Sequence, residues 1–284
     1  MAPQKGEFFI DGTLGEGGHA LAILEKIMPE GLFLGLDWDR EAIDRFRERI
    51  ARISNFQFPI SKVILINDNF MNISKILKDK KLGKADGILL DLGFSSRHLA
   101  SGRGFSFLQD EPLLMTYQKT GVPLKDVLKD LKEEEIFQII KNYGEERYAG
   151  RIAKAIFERE RMRPIETTKE LADVVTGAVP GNYERGRIHP ATRTFLAFRI
   201  FINNELENLE KFLDSLEAVL APNARIGIIS FNSLEDRIVK HSFRLLAKRN
   251  ILKLINKKPI TPTSEEIQKN PRSRSAKLRA AVRV

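Results

Sequence analysis

Two kinds of residue in the first hundred positions could do chemistry together: closely spaced glycines and widely spaced aspartates. The segment DGTLGEGGHA, residues 11–20, contains four glycines, namely Gly12, Gly15, Gly17 and Gly18. Four aspartates each close an apolar run: Asp11, Asp37, Asp68 and Asp91. Glycine lets a ligand come close to the main chain, and carboxylates bind cations and hydroxyl groups. The combination predicts a site for a small ligand that carries positive charge, hydroxyl groups or both.

The elements that must position these residues are predicted to be parallel strands. Strand-like runs occur at Glu7–Thr13, Gly31–Asp37, Lys62–Asn69 and Ala85–Gly93. Helical patterns separate them, at Ala20–Ile27, Arg40–Ile53 and Asn72–Lys80. This alternation predicts a parallel sheet with right-handed crossovers. Because an open α/β sheet binds its ligand at the carboxyl ends of its strands, we expect the four aspartates to form one rim.

The pattern changes after residue 100. Helical patterns follow at Leu124–Tyr143, Glu146–Met162 and Thr168–Ala178, and Thr167 and Glu170 predict a capping box for the last of them. A longer helical pattern covers Thr194–Leu220, and strand patterns return at Ala224–Phe231, Ile251–Lys257 and Lys277–Val284. We therefore predict an α/β domain with a Rossmann-like sheet over 1–100 and 194–284, and an inserted all-helical domain over 101–193.

The glycines alone do not decide which cofactor is bound. Residues 15–20 fit the dinucleotide pattern G-x-G-x-x-[GA], and Asp37 stands where a carboxylate can hold ribose hydroxyls. NAD, S-adenosylmethionine and a ligand-free tight turn are all compatible with these residues. The acidic rim favours S-adenosylmethionine, because it would repel a pyrophosphate and attract a sulfonium and an ammonium group. The alternative for one or two of the aspartates is that they only cap the following helices.

The fourth strand pattern ends in a possible acceptor site. In ILLDLGFSS, Asp91 is followed by the turn residue Gly93 and by Phe94. The exocyclic amine of cytosine or adenine is a poor nucleophile, and Asp91 could accept its N–H and direct its lone pair at a methyl group. Phe94 either holds the flipped base with its ring or packs in the core. The chain has no cysteine, which excludes methylation of cytosine carbon 5 through a thiolate adduct.

The charge of the chain suits a polyanionic partner, an acidic membrane surface or simply a basic, solvated face. Lysine and arginine number 47 against 38 acidic residues, a net charge of +9. Basic residues cluster in RGRIHPATRTFLAFR and again between residues 269 and 283, where they could contact RNA phosphates or form salt bridges. No apolar run approaches the roughly 18 residues of a membrane span. We expect a soluble cytoplasmic protein that needs no membrane and no metal.

Seven ordered motifs extend from residue 11 to residue 275. They are DGTLGEGGH, DGILLDLGFSS, RGFSF, YGEERYAGRIAKAI, HPATRTF, ISFNSLEDRIVK and NPRSRS. With these motifs the chain resembles the ribosomal RNA small subunit methyltransferase H family. The resemblance implies a Rossmann-like methyltransferase sheet with an inserted helical substrate domain. It also implies methyl transfer from S-adenosylmethionine to N(4) of a cytidine in the decoding region of small-subunit rRNA, within the assembled subunit.

The residue patterns and the resemblance together give three sets of candidate site residues. The catalytic candidates are Asp91, Phe94 and Ser95. The candidates for cofactor binding are Asp11, Gly15, Gly17, Gly18, His19, Asp37, Phe70, Asp91 and His98. The candidates for RNA binding are Arg193, Arg199, Arg237, Arg272, Arg274, Lys277 and Arg279.

The chain departs from the family pattern in several places. The family usually has a segment with His and PVLL before the first strand, so the cofactor pocket is expected to lack part of its cover. Leu114 and Thr116 stand where Asp and Arg are usual, Asn232 replaces His, and His98 stands where Gln is common. Two rival hypotheses stay open: the same chemistry on another nucleic acid, and a non-catalytic ribosome-assembly factor. The sequence leaves the oligomeric state open.

Overall fold

The computed structural model describes residues 1–52, 59–93, 99, 101–118 and 120–284. The chain divides into two compact units. We call residues 1–93 and 206–284 the sheet unit, and residues 94–205 the helical unit. The sequence patterns placed the second boundary at residue 194 instead. It lies later because Phe195 and Phe198 pack into the core of the helical unit.

The sheet unit contains one seven-stranded sheet in the part of the chain that the structure describes. The strands are β1 (Phe8–Asp11), β2 (Leu32–Asp37), β3 (Val63–Asn67), β4 (Ala85–Asp91), β5 (Leu220–Ser230), β6 (Leu252–Leu254) and β7 (Lys277–Arg283). Their order is β3-β2-β1-β4-β5-β7-β6. Strands β1 to β5 are parallel, and β7 is antiparallel to both of its neighbours. The predicted α/β class with a Rossmann-like sheet is confirmed.

The strand order creates a switch point between β1 and β4. From β1 the chain continues to β2 and β3 on one side, and from β4 it continues to β5 on the other. In open α/β sheets, the carboxyl edge at such a switch point is the usual place for a ligand. Asp11 and Asp91 are the last residues of these two strands.

The helices are α1 (Gly18–Ile27), α2 (Arg40–Arg52), α3 (Ile73–Asp79), α4 (Leu124–Asp130), α5 (Glu133–Gly144), α6 (Ala149–Met162), α7 (Thr168–Ala178), α8 (Ala191–Ile202), α9 (Glu205–Asp214), α10 (Leu216–Val219), α11 (Ser233–Lys248) and α12 (Ser264–Lys269). Helices α4 to α8 belong to the helical unit, and the others belong to the sheet unit apart from the first residue of α9. Among the described residues, none of these helices has both the length and the hydropathy of a membrane-spanning segment.

The two faces of the sheet pack against different apolar clusters. Phe9 of β1 packs on one face with Phe33 and Phe46, whereas its neighbour Ile10 packs on the other with Phe212. Successive side chains of a strand point to opposite faces, so both faces of β1 are buried. This double burial fixes β1 in the centre of the sheet and fixes the position of the loop that follows it.

Two of the predicted helices are wrong because each is broken by local hydrogen bonding. The pattern over 124–143 forms α4 and α5, since the Glu135 carboxylate accepts from the Lys132 backbone N–H and starts a new helix there. The pattern over 194–220 forms α8, α9 and α10. It breaks where the Asn203 side chain donates to the Met115 carbonyl and Asn204 adopts a left-handed φ of 48°. The predicted capping box at the start of α7 is confirmed.

Candidate active site at the carboxyl edge of the sheet

The glycines between β1 and α1 serve different purposes. A Cβ on Gly12 would lie 2.3 Å from a leucine side chain of β4, and a Cβ on Gly17 would lie 2.1 Å from the ring of Phe46. Gly17 also has a φ of 72°, which favours glycine. Gly15 has a φ of 50°, and its N–H donates to the Asp37 Oδ2 at 2.8 Å. These three glycines are required by the protein's own packing and turn geometry.

Gly18 differs from the other three because it faces open space. No heavy atom lies within 4 Å of the position that a Cβ would occupy. Gly18 is the first residue of α1, and no side chain caps this end of the helix. The unsatisfied N–H groups of a first turn attract an anionic group such as a carboxylate. Gly18 is therefore where a ligand can approach the main chain of this loop.

Asp37 connects the end of β2 by a hydrogen bond to residues 12–17, the glycine loop between β1 and α1. Its Oδ2 accepts from the Gly15 N–H and its Oδ1 accepts from the Asp39 N–H, both at 2.8 Å. The Asn67 amide donates to the main-chain carbonyls of Asp37 and Trp38. A carboxylate oxygen can accept more than one hydrogen bond, so these two bonds do not exclude ribose hydroxyls as further donors. Asp37 thus has a structural role that the sequence did not predict, beside its predicted role in cofactor binding.

Asp11 and Asp91 lie on adjacent strands and are linked through Thr13. The Thr13 N–H donates to Asp11 Oδ1 at 3.1 Å, and the Asp91 N–H donates to Thr13 Oγ1 at 2.6 Å. Among the described residues, Asp11 Oδ2 and Asp91 Oδ1 are buried without a hydrogen-bond partner. His19 Nε2 lies 3.7 Å from Asp91 Oδ2. A buried carboxylate oxygen without a partner is costly, and a bound cation or donor would relieve that cost.

The ionisation of both carboxylates is shifted by the same environment. Burial is the main reason that the pKa of Asp11 is raised to about 7. The hydrogen bond from the Thr13 N–H lowers this pKa, whereas the negative charges of Asp91 and Asp37 raise it. Burial also raises the pKa of Asp91, while His19 acts in the opposite direction. Buried carboxylates of this kind resist ionisation until a positive charge arrives. The edge between β1 and β4 is therefore suited to a cationic ligand.

Phe70 lies next to Gly12, the residue that follows β1. It begins a short 3₁₀ turn after β3, and its ring meets the ring of Phe212 edge-on at a centroid distance of 5.8 Å. Its Cβ is 3.2 Å from the position that a Cβ on Gly12 would occupy. Phe70 therefore packs beside Gly12 and Phe212, and its predicted contact with the cofactor stays a prediction.

Two residues near the site escaped the sequence analysis. The Thr13 hydroxyl binds the main chain at Asp91. The ring of Phe231 lies 3.4 Å from the position of a Cβ on Gly93, the turn residue after β4, which has a φ of 108°. Phe231 could have been found from the sequence, because it ends the fifth predicted strand and the carboxyl ends of parallel strands lie at the same edge. The candidates Phe94, Ser95 and His98 lie outside the described residues, so their roles stay predictions.

The basic residues near the end of the chain separate into two groups. Arg272 and Arg274 are exposed in a 3₁₀ turn, and within the described ranges neither forms an ion pair. Arg279 is instead buried, and it donates to both carboxylate oxygens of Asp236, at 2.6 and 3.2 Å. Lys277 Nζ lies 3.5 Å from the same carboxylate. We therefore correct the assignment of Arg279 to RNA binding, because its guanidinium is used within the protein.

The arginines of the other basic cluster, RGRIHPATRTFLAFR, divide in the same way. Arg199 is buried, and it donates to both carboxylate oxygens of Glu205, at 2.8 and 2.9 Å. Its assignment to RNA binding is corrected for the same reason. Arg193 lies 3.3 Å from the Glu184 carboxylate and 3.9 Å from that of Glu146. Arg193 and the exposed Arg237 of α11 remain predicted RNA contacts.

Comparison with known proteins decides what kind of protein carries this site. The model of the MraW methylase family matches residues 1–284. The chain belongs to the MraW methylase family. The ribosomal RNA small subunit methyltransferase H of Syntrophus aciditrophicus is 44% identical over 296 residues, covering 98% of this chain and 92% of that protein. The protein of the same name from Geotalea uraniireducens is 44% identical over 301 residues, covering 100% of this chain and 95% of its own.

S-adenosylmethionine is the methyl donor of this methylase, and the residues at the sheet edge fit it. The unpartnered oxygen of Asp11 suits one of its positive charges, and Asp91 on the neighbouring strand places a second carboxylate at the same edge. Gly18 and the uncapped start of α1 suit its carboxylate, and Asp37 suits its ribose hydroxyls. When bound, S-adenosylmethionine supplies an electrophilic methyl group. A pyrophosphate would meet the same carboxylates, which argues against the NAD alternative.

The departure from the family pattern at Asn232 has a structural explanation. Asn232 caps α11: its Oδ1 accepts from the N–H groups of Leu234 and Glu235, at 3.0 and 2.9 Å. The Glu235 carboxylate in turn accepts from the Phe231 N–H at 2.9 Å. Asparagine is among the best N-cap residues, so this methylase keeps a well-ordered start to α11 without a histidine there.

The departures at Leu114 and Thr116 lie in the helical unit. The backbone of Leu114 donates to the Pro112 carbonyl and accepts from the Leu124 N–H, each at 2.9 Å. Thr116 is buried beside Gly121. Both positions are therefore part of the packed structure of the helical unit, whatever contacts an Asp and an Arg make there in relatives.

Replacement of Asp11 by Asn is expected to stabilise the ligand-free methylase at high pH. The pKa of Asp11 in the folded state, about 7, is above its ordinary value of 3.8. Its ionisation therefore costs stability as pH rises from about 4 to 7, and the cost is constant above that range. At about 1.4 kcal/mol per pH unit, the gain in Asp11→Asn reaches a few kcal/mol at pH 8. Asparagine retains an oxygen for the Thr13 N–H.

This gain is measured as the difference in melting temperature from the parent protein at pH 5 and at pH 8. We expect a clearly larger difference at pH 8. The matched control is Glu25→Gln, which removes an exposed carboxylate from α1 and should change the melting temperature little at either pH. Equal differences for Asp11→Asn at both pH values would show that ionisation of Asp11 does not destabilise the folded protein.

Proposed function

We propose that this methylase transfers the methyl group of S-adenosylmethionine to N(4) of a cytidine in the decoding region of small-subunit rRNA, within the assembled small subunit. The observation that carries the proposal is the Asp91 carboxylate at the switch point, which has a buried oxygen without a partner. Relatives along the whole chain that are named ribosomal RNA small subunit methyltransferase H support the substrate.

The chain's own groups explain how a weakly nucleophilic amine can react here. Asp91 accepts an N–H of the exocyclic amine and so directs the nitrogen lone pair along the line of transfer. As the nitrogen gains a methyl group it must lose a proton, and Asp91 can take it because burial raises its pKa. Thr13 holds the main chain of Asp91 in place through its hydroxyl. Asp91 therefore acts first as a hydrogen-bond acceptor and then as a base.

The composition of the chain limits which atom of the base can react. Methylation of cytosine carbon 5 needs a thiolate nucleophile, and the chain contains no cysteine. Nitrogen and oxygen acceptors remain, and a carboxylate acceptor suits an N–H donor. We do not adopt the non-catalytic assembly factor as an alternative, because the chain belongs to a methylase family and retains the carboxylate edge.

We assign recognition of the RNA to the helical unit, together with the exposed Arg272 and Arg274. The helical unit interrupts the sheet unit between β4 and β5, and a methyltransferase sheet needs a second element to select its acceptor. A small-subunit substrate would place the enzyme in the cytoplasm.

The nature of the acceptor is tested by comparing three substrates. Labelled S-adenosylmethionine is incubated with the enzyme and with isolated small subunits, protein-free small-subunit rRNA or DNA at equal nucleotide concentration. We expect small subunits to be labelled fastest and DNA not to be labelled. Faster labelling of free rRNA would mean that free rRNA, and not the assembled subunit, is the substrate. Labelling of DNA would overturn the proposed function.

Replacement of Arg272 and Arg274 by Ala is expected to weaken RNA binding and its dependence on salt. Each lost phosphate contact lowers the slope of log affinity against log salt by about 0.7 to 0.9. The double variant should therefore lose about 1.4 to 1.8 from the slope if both contacts exist. Affinity for a small-subunit rRNA fragment is measured over a salt series.

The control variant replaces Lys78 and Lys80, two exposed lysines at the end of α3, by Ala. It changes the net charge by the same amount at another place, and it should leave the slope close to that of the parent. An unchanged slope in Arg272→Ala/Arg274→Ala would mean that this turn does not contact RNA.

A further inference from the structure

A loop in the helical unit combines a strained backbone with an anchor made of buried polar groups. Glu184, Arg185 and Gly186 have left-handed φ values of 46°, 53° and 73°. A left-handed backbone is unfavourable for the first two of these residues. The loop is anchored because the buried Tyr183 donates its hydroxyl to the fully buried carboxylate of Glu146.

The imidazole ring of His189 follows this loop in the chain and packs against aromatic side chains. The exposed imidazole of His189 stacks on the ring of Phe107, with centroids 4.5 Å apart and an interplanar angle of 22°. Phe195 meets Phe107 edge-on at 5.1 Å. The Nδ1 of His189 accepts from the Ala191 N–H at 3.2 Å, which sets the direction of the ring. His189 thus has one face covered by an aromatic side chain while the residue remains accessible to solvent.

Unpaired cations accompany the ring. Arg185 and Arg187 are exposed, and in the part of the chain that the structure describes neither forms an ion pair. The acidic groups of this region are already used, since Glu184 and Glu146 both lie within 4.0 Å of the Arg193 guanidinium. The loop therefore displays two free positive charges four and two residues before His189.

We propose that His189 is a stacking platform for an unpaired RNA base and that Arg185 and Arg187 bind the phosphates next to that base. The inference rests on the proposed function, because it names the form of RNA that the helical unit recognises. Unpaired bases are held by stacking on aromatic rings, with cations along the backbone. Paired bases in a duplex offer no free face, so the platform selects single-stranded nucleotides.

Two substitutions at residue 189 separate stacking from a structural role. His189→Asn removes the ring but keeps an oxygen that can accept from the Ala191 N–H. His189→Phe keeps a ring that can stack but loses that acceptor. Binding of a single-stranded rRNA oligonucleotide and of an RNA duplex is measured for both variants by fluorescence anisotropy, together with the melting temperature of each protein.

Stacking predicts that His189→Asn weakens binding of the single-stranded oligonucleotide roughly 5- to 100-fold, with an unchanged affinity for the duplex. His189→Phe should remain within about threefold of the parent, since an aromatic face is what the base needs. In Arg185→Ala/Arg187→Ala the salt slope for single-stranded RNA should fall by about 1.4. His189→Asn should leave that slope unchanged.

The opposite pattern at residue 189 overturns the proposal. If His189→Asn binds RNA like the parent, or if both variants lose binding equally, stacking is not the function of the ring. A lower melting temperature in His189→Phe with normal RNA binding in His189→Asn would make His189 only a cap of α8. If the parent enzyme fails to methylate small-subunit RNA while these binding effects are seen, the proposed function fails and the platform stands.

Discussion

Replacement of Asp91 by Ala is expected to lower the rate of methyl transfer about 100- to 10,000-fold at saturating S-adenosylmethionine, the usual range for a lost acid–base group. Asp91 has a buried oxygen without a partner at the switch point of the sheet. Burial also raises its pKa, which suits a group that must take up a proton. Without the carboxylate, the amine loses both its orientation and its proton acceptor.

Asp91→Asn separates these two contributions. An amide oxygen still accepts the N–H of the substrate but cannot take the proton, so this variant should be faster than Asp91→Ala and slower than the parent. Single-turnover rates on small subunits measure the chemical step, and saturation with the donor removes any effect on its affinity. A rate equal to the parent's in Asp91→Ala would show that Asp91 is not the acceptor.

Replacement of Gly18 by Val is expected to weaken binding of S-adenosylmethionine by a factor on the order of 100, or about 2.7 kcal/mol, without unfolding the protein. A Cβ at residue 18 would have no heavy atom of a packed neighbour within 4 Å, so we expect the added side chain to fit without a clash and to enter the space that we assign to the donor. Isothermal titration measures the affinity, and the melting temperature should stay within about 2 °C of the parent's, equivalent to less than about 1 kcal/mol.

Gly17→Ala is the matched comparison one residue earlier. Its Cβ would lie 2.1 Å from the ring of Phe46 and its backbone has a φ of 72°, so we expect a loss of about 2–4 kcal/mol in stability from strain and overpacking. Gly18→Val should thus lower the affinity for the donor and leave stability nearly unchanged, whereas Gly17→Ala should lower stability. Normal donor affinity in Gly18→Val would place the donor elsewhere.

Much of the fold could be predicted because the signals that set it are local. The seven strand patterns correspond to β1 to β7, since buried strands carry apolar runs and turn residues bound them. The aspartates at the strand ends predicted the edge where the site lies. The helix breaks at residues 131–132 and 203–204 could not be read from periodicity, because hydrogen bonds and backbone geometry interrupt patterns that look continuous.

The parts of the site that could not be predicted depend on contacts that only the fold creates. Gly17 and Gly18 look alike in sequence, and only the position of Phe46 separates a packing glycine from an open one. Arg279 looks like an RNA contact until Asp236, 43 residues earlier, is found beside it. The hydroxyl of Thr13 reaches Asp91 across 78 residues of chain.

The central claim is that Asp91 directs a methyl group to N(4) of cytidine in small-subunit rRNA. It is tested most directly by identifying the labelled nucleoside after small subunits are methylated with labelled S-adenosylmethionine, digested and separated by chromatography. We predict that the label coincides with N(4)-methylcytidine for the parent enzyme and is strongly reduced for Asp91→Ala. Label in 5-methylcytidine, in a ribose-methylated nucleoside or in an adenosine derivative would contradict the account.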